Sequence, residues 1–398
     1  MTQQSRSSFS RSLWTALALA AAPLCALAVT AVHPARDDEV LEVLPAVTRS
    51  RPARTASAAP IANPAVAAAQ VRRDITVARQ TGDTRYWGRA QAVLAPWWDR
   101  PGAPPDLAVL QATVQAGRHE FDASRAVLTT ALARAPGHAQ GWLNLAALER
   151  LSARYAEAQL ACEAVARAGQ AFYAAACRLE TQSLQGQHQS AAQGLQALLK
   201  QTQDNSQRSW LLSLLAESQE RAGSDAAAAN AYKSSLALGP DLYTAIAYSD
   251  LLLRTGKASQ ALQALSGLPE TDAVLLRRAL AWRRLRDTRW TEVRALLQER
   301  AAELLRRGDD PALHGRELAL TALWLDDDAV RALQLARRNL LLQREPIDWW
   351  VAVQSAHQAK NEAALAEIAS AMRAAGLHDA RLTPIRAGKT LPAAKASK

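Results

Sequence analysis

The sequence predicts an all-α chain of tandem helix–turn–helix units stacked into a solenoid, and three observations predict it. Its 398 residues exceed what one compact core holds, yet suit an array in which each unit packs on the next. Hydrophobic residues make up 49% but aromatics only 5%, and Ala, Leu and Arg outnumber β-branched residues, which favours helix along the whole length. Most specific is Ser209–Pro240, which reads as two helices folded back around Gly223. Apolar or small residues fall at Leu212, Leu215 and Ala216, then at Ala228, Tyr232 and Ser235, before Pro240 closes the unit.

That unit recurs. Leu145, Leu179, Leu215 and Tyr248 stand 34, 36 and 33 residues apart, and a small residue steps with them through Ser124, Ala158, Ala192, Ala228 and Ala261. Pro136 and Pro240 are 104 apart, three units of 34 plus two, and the polar turn Gln201–Asn205 has room for the excess. Five repeats are expected over 105–268. Ahead of them, 68–104 reads as an N-terminal capping hairpin, with an apolar stripe from Val71, a break at Gly82-Asp83, and Trp87, Trp97 and Trp98. Behind them, 269–382 reads as three degenerate helical pairs. Asp326-Asp327-Asp328 lacks the alternating spacing of a calcium loop and reads as a turn with an N-cap, and Gly376 as a C-cap.

The two ends differ from this pattern. Arg6 and Arg11 precede an apolar run from Leu13 to Leu24, and Ala26-Leu27-Ala28 follows, the order of a secretory signal peptide over 1–28. An apolar run reaching Val32 leaves a retained anchor open, while Leu24 before Cys25 speaks against a lipid-bearing cysteine. Pro34, Pro45, Pro52, Pro60 and Pro64 make 29–67 a flexible linker, with one apolar island at Val40–Pro45. Pro384, Pro392 and scattered lysines make 383–398 a disordered tail.

The offsets in Ser209–Pro240 and its neighbours resemble the tetratricopeptide repeat, and Thr81–Trp98 and Arg331–Pro346 resemble segments of uncharacterised exported bacterial repeat proteins. The resemblance implies a right-handed superhelix whose first helices line a concave groove for an extended peptide or a partner helix. On this sequence the groove positions are Arg150 and Leu151, Thr181 and Leu184, Glu217, Glu220 and Arg221, then Asp250 and Arg254. Relatives that clamp a peptide's terminal carboxylate carry Lys and Asn one turn apart; the matching residues here are Leu143 and Ala147, then Ser213 and Glu217, so that clamp is absent. Glu180 departs from the pattern, at a position that is usually small.

No catalytic constellation, cofactor loop or metal set emerges, so the chain is read as a non-enzyme. Its histidines are scattered, and His314 with Glu317 one turn later is a single weak pair. The formal net charge of +10 favours acidic partners or membrane phosphates, and Arg277, Arg278, Arg283, Arg284 and Arg286 form the densest basic stretch. A solvated face partly paired with Glu292 and Glu299 is the plainer alternative. Nucleic-acid binding fits the charge but conflicts with a signal peptide. Trp210, Trp282, Trp290, Trp324, Trp349 and Trp350 are expected in packing, except that adjacent Trp349 and Trp350 cannot both face one core.

Cys162 and Cys177 fall on the second helix of one repeat and the first helix of the next, so either a disulfide or two buried thiols fits. The function expected is an exported, bacterial periplasmic protein–protein interaction scaffold. An accessory subunit of an envelope cell-wall or exopolysaccharide enzyme, or of an export complex, is the alternative.

Overall fold

Asn63 and Pro64 start the first helix for local reasons. The Asn63 side chain accepts from the N–H groups of Ala65 at 2.9 Å and Val66 at 3.3 Å, and Pro64 sits where its missing donor costs nothing. The computed structural model describes residues 63–306 and 310–382. The signal segment, the Val40–Pro45 island and the tail 383–398 lie outside them. Residues 64–67, expected as linker, are the first turn of this helix, because the Asn63-Pro64 cap starts it ahead of the apolar stripe that begins at Val71.

Eighteen α-helices follow one another among the described residues, with no strand. They pair as α1 Pro64–Thr81 with α2 Arg85–Leu94, α3 Pro105–Gly117 with α4 Phe121–Arg134, and α5 Ala139–Leu151 with α6 Tyr155–Arg167. Next come α7 Ala171–Leu184 with α8 His188–Leu199, α9 Asn205–Arg221 with α10 Asp225–Leu238, and α11 Leu242–Arg254 with α12 Ala258–Ala264. Then α13 Asp272–Arg284 pairs with α14 Arg289–Arg306, α15 Gly315–Trp324 with α16 Ala329–Leu342, and α17 Pro346–Gln358 with α18 Glu362–Ala375. No described helix is long and apolar enough to cross a membrane.

One turn geometry joins the hairpins from α3 onward. A residue in the left-handed region recurs at His119, Ala153, Gly186, Gly223, Gly256, Arg286, Asp327 and Lys360. In all but the Asp327 turn, the next N–H reaches back five residues to close the helix end: Glu120 to Gln115 at 2.9 Å, Arg154 to Glu149 at 2.7 Å, Ser224 to Gln219 at 2.8 Å, Asp287 to Trp282 at 3.0 Å. The same short turn, repeated, gives the same hairpin. Three positions hold glycine; the others carry a side chain through a strained backbone.

Packing shows where the repeat register slips. The fourth residue of each second helix is fully buried at Ser124, Ala158, Ala191, Ala228 and Ala261, so Ala191, not Ala192, holds the small position. The first helices end at 117, 151, 184, 221 and 254, steps of 34, 33, 37 and 33. One residue is lost before α7 and three are added after it, which is the net two read from the prolines. The small position of α7 is therefore taken by Leu179 rather than Glu180. A methyl on Gly194 of α8 would fall 2.5 Å from Leu179 Cδ2, so the glycine makes room for the leucine that stands where Ala146 and Ala216 stand elsewhere.

The stack curves until its parts meet. The N–H of Arg344 donates to the Leu151 carbonyl at 2.7 Å and that of His378 to the Leu184 carbonyl at 2.8 Å. Ala380 lies against the Gly223 turn, and Gly82 at the end of α1 lies against Thr271 and Leu242. The largest apolar cluster unites Trp349, Leu377 and Leu382 with Tyr155 and Leu184 from the middle of the chain. The segments after α16 and α18 thus run along one rim of the concave face, covering the hairpin turns from His119 to Gly223.

Candidate functional site

The concave face that remains open is a cleft of about 740 Å³ along α5, α7, α9 and α11. These are the first helices of consecutive hairpins, so stacking alone places their side chains in a row. Tyr173 and Trp210 stand 5.8 Å apart by ring centroid, with Gln207 donating to the Tyr173 hydroxyl at 3.0 Å. Tyr243 on α11 is 58% exposed and forms the facing wall. Gln140 and Asn144 bond each other at 2.9 Å at the opposite wall on α5.

At its deep end the cleft shares Arg150, Glu180, Glu217 and Tyr243 with an inner chamber of about 370 Å³. Arg150 pairs with Glu180 at 2.8 Å. Glu217 accepts from the Tyr243 hydroxyl at 2.8 Å and lies 3.4 Å from Arg221. Burial pushes the Glu217 carboxyl up to about 6, with Arg221 opposing and Glu180 adding to the rise. Further in, Arg277 holds both oxygens of Asp250 at 2.9 Å, Arg381 reaches Glu220 at 2.9 Å, and Arg316 binds Glu345 at 2.5 Å and Asp348 at 2.7 Å. Burial works against the charge of Asp379, yet Arg381, bonded to it at 2.6 Å, holds its carboxyl below the usual carboxylate range.

Charge in the cleft and chamber runs against the chain as a whole. Seven carboxylates line them (Glu180, Glu217, Glu220, Asp241, Asp250, Glu317 and Glu345) against five guanidinium groups, Arg150, Arg221, Arg277, Arg316 and Arg381. The protein carries +10 overall. The cleft and chamber therefore carry an excess of two carboxylates.

The residues expected to line one groove divide into three groups. Arg150 and Glu217 face the open cleft. Glu220, Arg221 and Asp250 line the chamber, where the first two are buried and ion-paired. Thr181 is fully buried, its hydroxyl bonded to the Cys177 carbonyl at 3.0 Å, and Arg254 is clamped to Asp225 at 2.6 Å. For Glu220 the reason is the closure of the array, which brings Arg381 onto it, whereas Arg254 is held by Asp225 of the preceding hairpin.

The expected basic patch is not one surface. Arg277 is 2% exposed inside the chamber wall, Arg278 bonds the Leu265 carbonyl at 2.7 Å, and Arg283 bonds Asp327 at 2.6 Å while lying over Trp290. Arg284 caps the Leu253 carbonyl, and Arg286 is the left-handed turn residue. Four of the five tie neighbouring helices together, because a guanidinium at a hairpin seam satisfies carbonyls and carboxylates of the next unit. Glu292 and Glu299, the expected partners, take none of the ion pairs among the described residues.

Cys162 on α6 and Cys177 on α7 have their Cα atoms 5.6 Å apart and their sulfurs bonded, tying one hairpin to the next. Trp349 is buried while Trp350 is half-buried and meets Trp324 edge-on at 6.2 Å. His314 and Glu317 border a second cleft, of about 970 Å³, beside the α1–α2 turn. Among the described residues no three His, Cys, Asp or Glu are grouped to hold a metal.

Hairpins of near-constant length, a shared turn and small residues at fixed contact positions describe one design. The architecture is an all-α array of stacked helical hairpins. No protein-family profile and no curated protein matches the chain. Among solved structures it is similar to a tetratricopeptide repeat protein from Parabacteroides merdae ATCC 43184, at 11% identity and TM-score 0.36 over 63% of this chain and 98% of that one. It is also similar to the P58(IPK) TPR domain, at 14% identity and TM-score 0.23 over 80% of this chain and 96% of that one.

Tyr173, Trp210, Tyr243 and Glu180 belong to the cleft but were absent from the expected groove set. A signal for three of them exists in the sequence: counted back from the Gly186, Gly223 and Gly256 turns, each falls on the inward face of a first helix.

Proposed function

We propose that this chain is an exported, non-catalytic scaffold that binds an extended segment of a protein partner in the cleft between α5 and α11. The observation that carries the reading is the aromatic lining. Tyr173, Trp210 and Tyr243 present apolar faces with polar tips along a concave row that the chain leaves open, while it covers the adjoining rim with its own residues. The signal-like segment 1–28 supports export to the periplasm.

Photo-crosslinking tests the cleft. A benzoylphenylalanine at Tyr243 is expected to capture a discrete partner in the native cell, and one at Leu160, exposed on α6, is not. Equal capture at both positions, or none at Tyr243, counts against the cleft. Fractionation with mass measurement of the mature N-terminus tests export; an intact Met1 in the cytoplasm counts against it.

A further inference from the structure

The whole-chain charge points toward acidic partners, and the cleft points the other way. Within the open cleft Glu180, Glu217 and Asp241 face a single guanidinium, Arg150. An acidic or phosphorylated segment entering there meets like charge in a partly dehydrated groove, where repulsion is poorly screened.

The chain itself shows what this concave face accepts. The short stretch Leu377–Leu382 lies along it, with the His378 N–H on the Leu184 carbonyl at 2.8 Å and the Arg381 side chain on Glu220 at 2.9 Å. Backbone and cation are delivered together, by a segment remote in sequence. Glu217 is one helical turn before Glu220 on α9, on the open side, and among the described residues its only cation within ion-pairing distance is Arg221 at 3.4 Å. The hydroxyl end of Tyr243 and the face of Trp210 border the approach, surfaces on which the stem of a lysine or the plane of an arginine packs.

We infer that the cleft selects a basic extended segment, one lysine or arginine of which enters the deep end between Glu217 and Glu180 as Arg381 enters at Glu220. This rests on the cleft reading above and adds the partner's chemistry to it. Occupancy by an acidic segment or by a phosphate-bearing surface is the excluded alternative.

Fluorescence anisotropy on the purified chain tests it, with fluorescein-labelled dodecapeptides of alternating Ala-Arg, Ala-Gln and Ala-Glu at about 150 mM salt. The Ala-Arg peptide is expected to bind, the Ala-Glu peptide not. Glu217→Gln is expected to weaken the Ala-Arg peptide about tenfold, the loss of one charge-assisted hydrogen bond. Glu163→Gln, exposed on α6, is expected to change nothing. Tyr243→Lys, at an exposed position, is expected to abolish binding by supplying a tethered cation, and it keeps the test decisive if Glu217→Gln fails to fold. Equal loss in Glu163→Gln and Glu217→Gln means diffuse surface attraction and overturns the inference. Binding of Ala-Gln as tight as Ala-Arg, still lost in Tyr243→Lys, also overturns it but leaves the cleft as the binding site. Failure of the Tyr243 photo-crosslink removes the cleft itself.

Discussion

The Arg381 guanidinium meets the Glu220 carboxylate at 2.9 Å across 161 residues of chain. Glu220 also accepts from the Tyr232 hydroxyl at 3.2 Å and from Arg254 at 3.3 Å, and Arg381 also holds Asp379 at 2.6 Å. Glu220 is buried and the Arg381 side chain is 15% exposed, so the contact is largely withdrawn from water.

Arg381→Ala is therefore expected to cost about 3 kcal/mol, because it removes the cation that the Glu220 and Asp379 carboxylates share rather than merely deleting one bond. Urea denaturation of the variant beside the parent reads this. A loss under about 1 kcal/mol, the range of exposed pairs, refutes the buried closure.

Gly194→Ala is expected to destabilise by about 1–3 kcal/mol, although alanine is the better helix former, since its methyl meets Leu179 Cδ2 at 2.5 Å. Leu179→Ala alone is expected to cost about 2–3 kcal/mol at this half-buried site. The double variant rebuilds the alanine-on-alanine contact of the neighbouring repeats and is expected to be more stable than the two losses added. A thermal double-mutant cycle that comes out additive refutes the size exchange.

Glu217 sets a pH dependence of definite sign. Its folded value of about 6 lies above the ordinary 4.5, so the folded state favours the neutral acid. That contribution is fully present below about pH 4.5 and lost as pH rises through about 6, a difference of roughly 2 kcal/mol. Arg221, Arg150 with Glu180, Tyr243 and Glu345 face the carboxyl and set this balance. Glu217→Gln is expected to gain on the parent at pH 7.5 by roughly 1–2 kcal/mol and to lose that advantage at pH 4.5. Asp379 acts in the opposite window, its stabilisation holding above the usual carboxylate range and fading in acid. Paired urea titrations at the two pH values check the difference; a gap that does not change with pH rules the assignment out.

Reduction of Cys162–Cys177, or the double change to alanine, is expected to cost about 3 kcal/mol, the chain-entropy value for a loop near 15 residues. Thermal melts with and without reductant measure it, and free thiols in exported protein contradict the bond.

Much of this fold was legible because helix packing is local and periodic. The Ser209–Pro240 hairpin, its Gly223 turn, the Asp328 cap at 2.9 Å to the Arg331 N–H and the Gly376 cap all stand as expected. Register was harder: Leu179 and Gly194 exchange sizes, so a reading by repeat spacing puts Glu180 where a small residue belongs and takes Ala192 for Ala191. The turn at Asp327 was legible from its aspartates, although a side chain there occupies a position that glycine announces elsewhere. The burial of Glu220 and Arg221 was not legible at all. It depends on residues more than a hundred positions away, and no periodicity encodes where a curved stack meets itself.

That meeting changes how the chain comes apart. In an open array each unit touches only its neighbours, and loss of structure begins at whichever end is weakest. Here Gly82 of the first described hairpin rests on Thr271, and the residues after the last helix are bonded to Leu184 and Glu220. Neither terminal hairpin is a loose end. Fraying must first break contacts with the middle of the protein, so this solenoid behaves as one cooperative body, with the mechanical unity of a ring rather than the graded yielding of a spring.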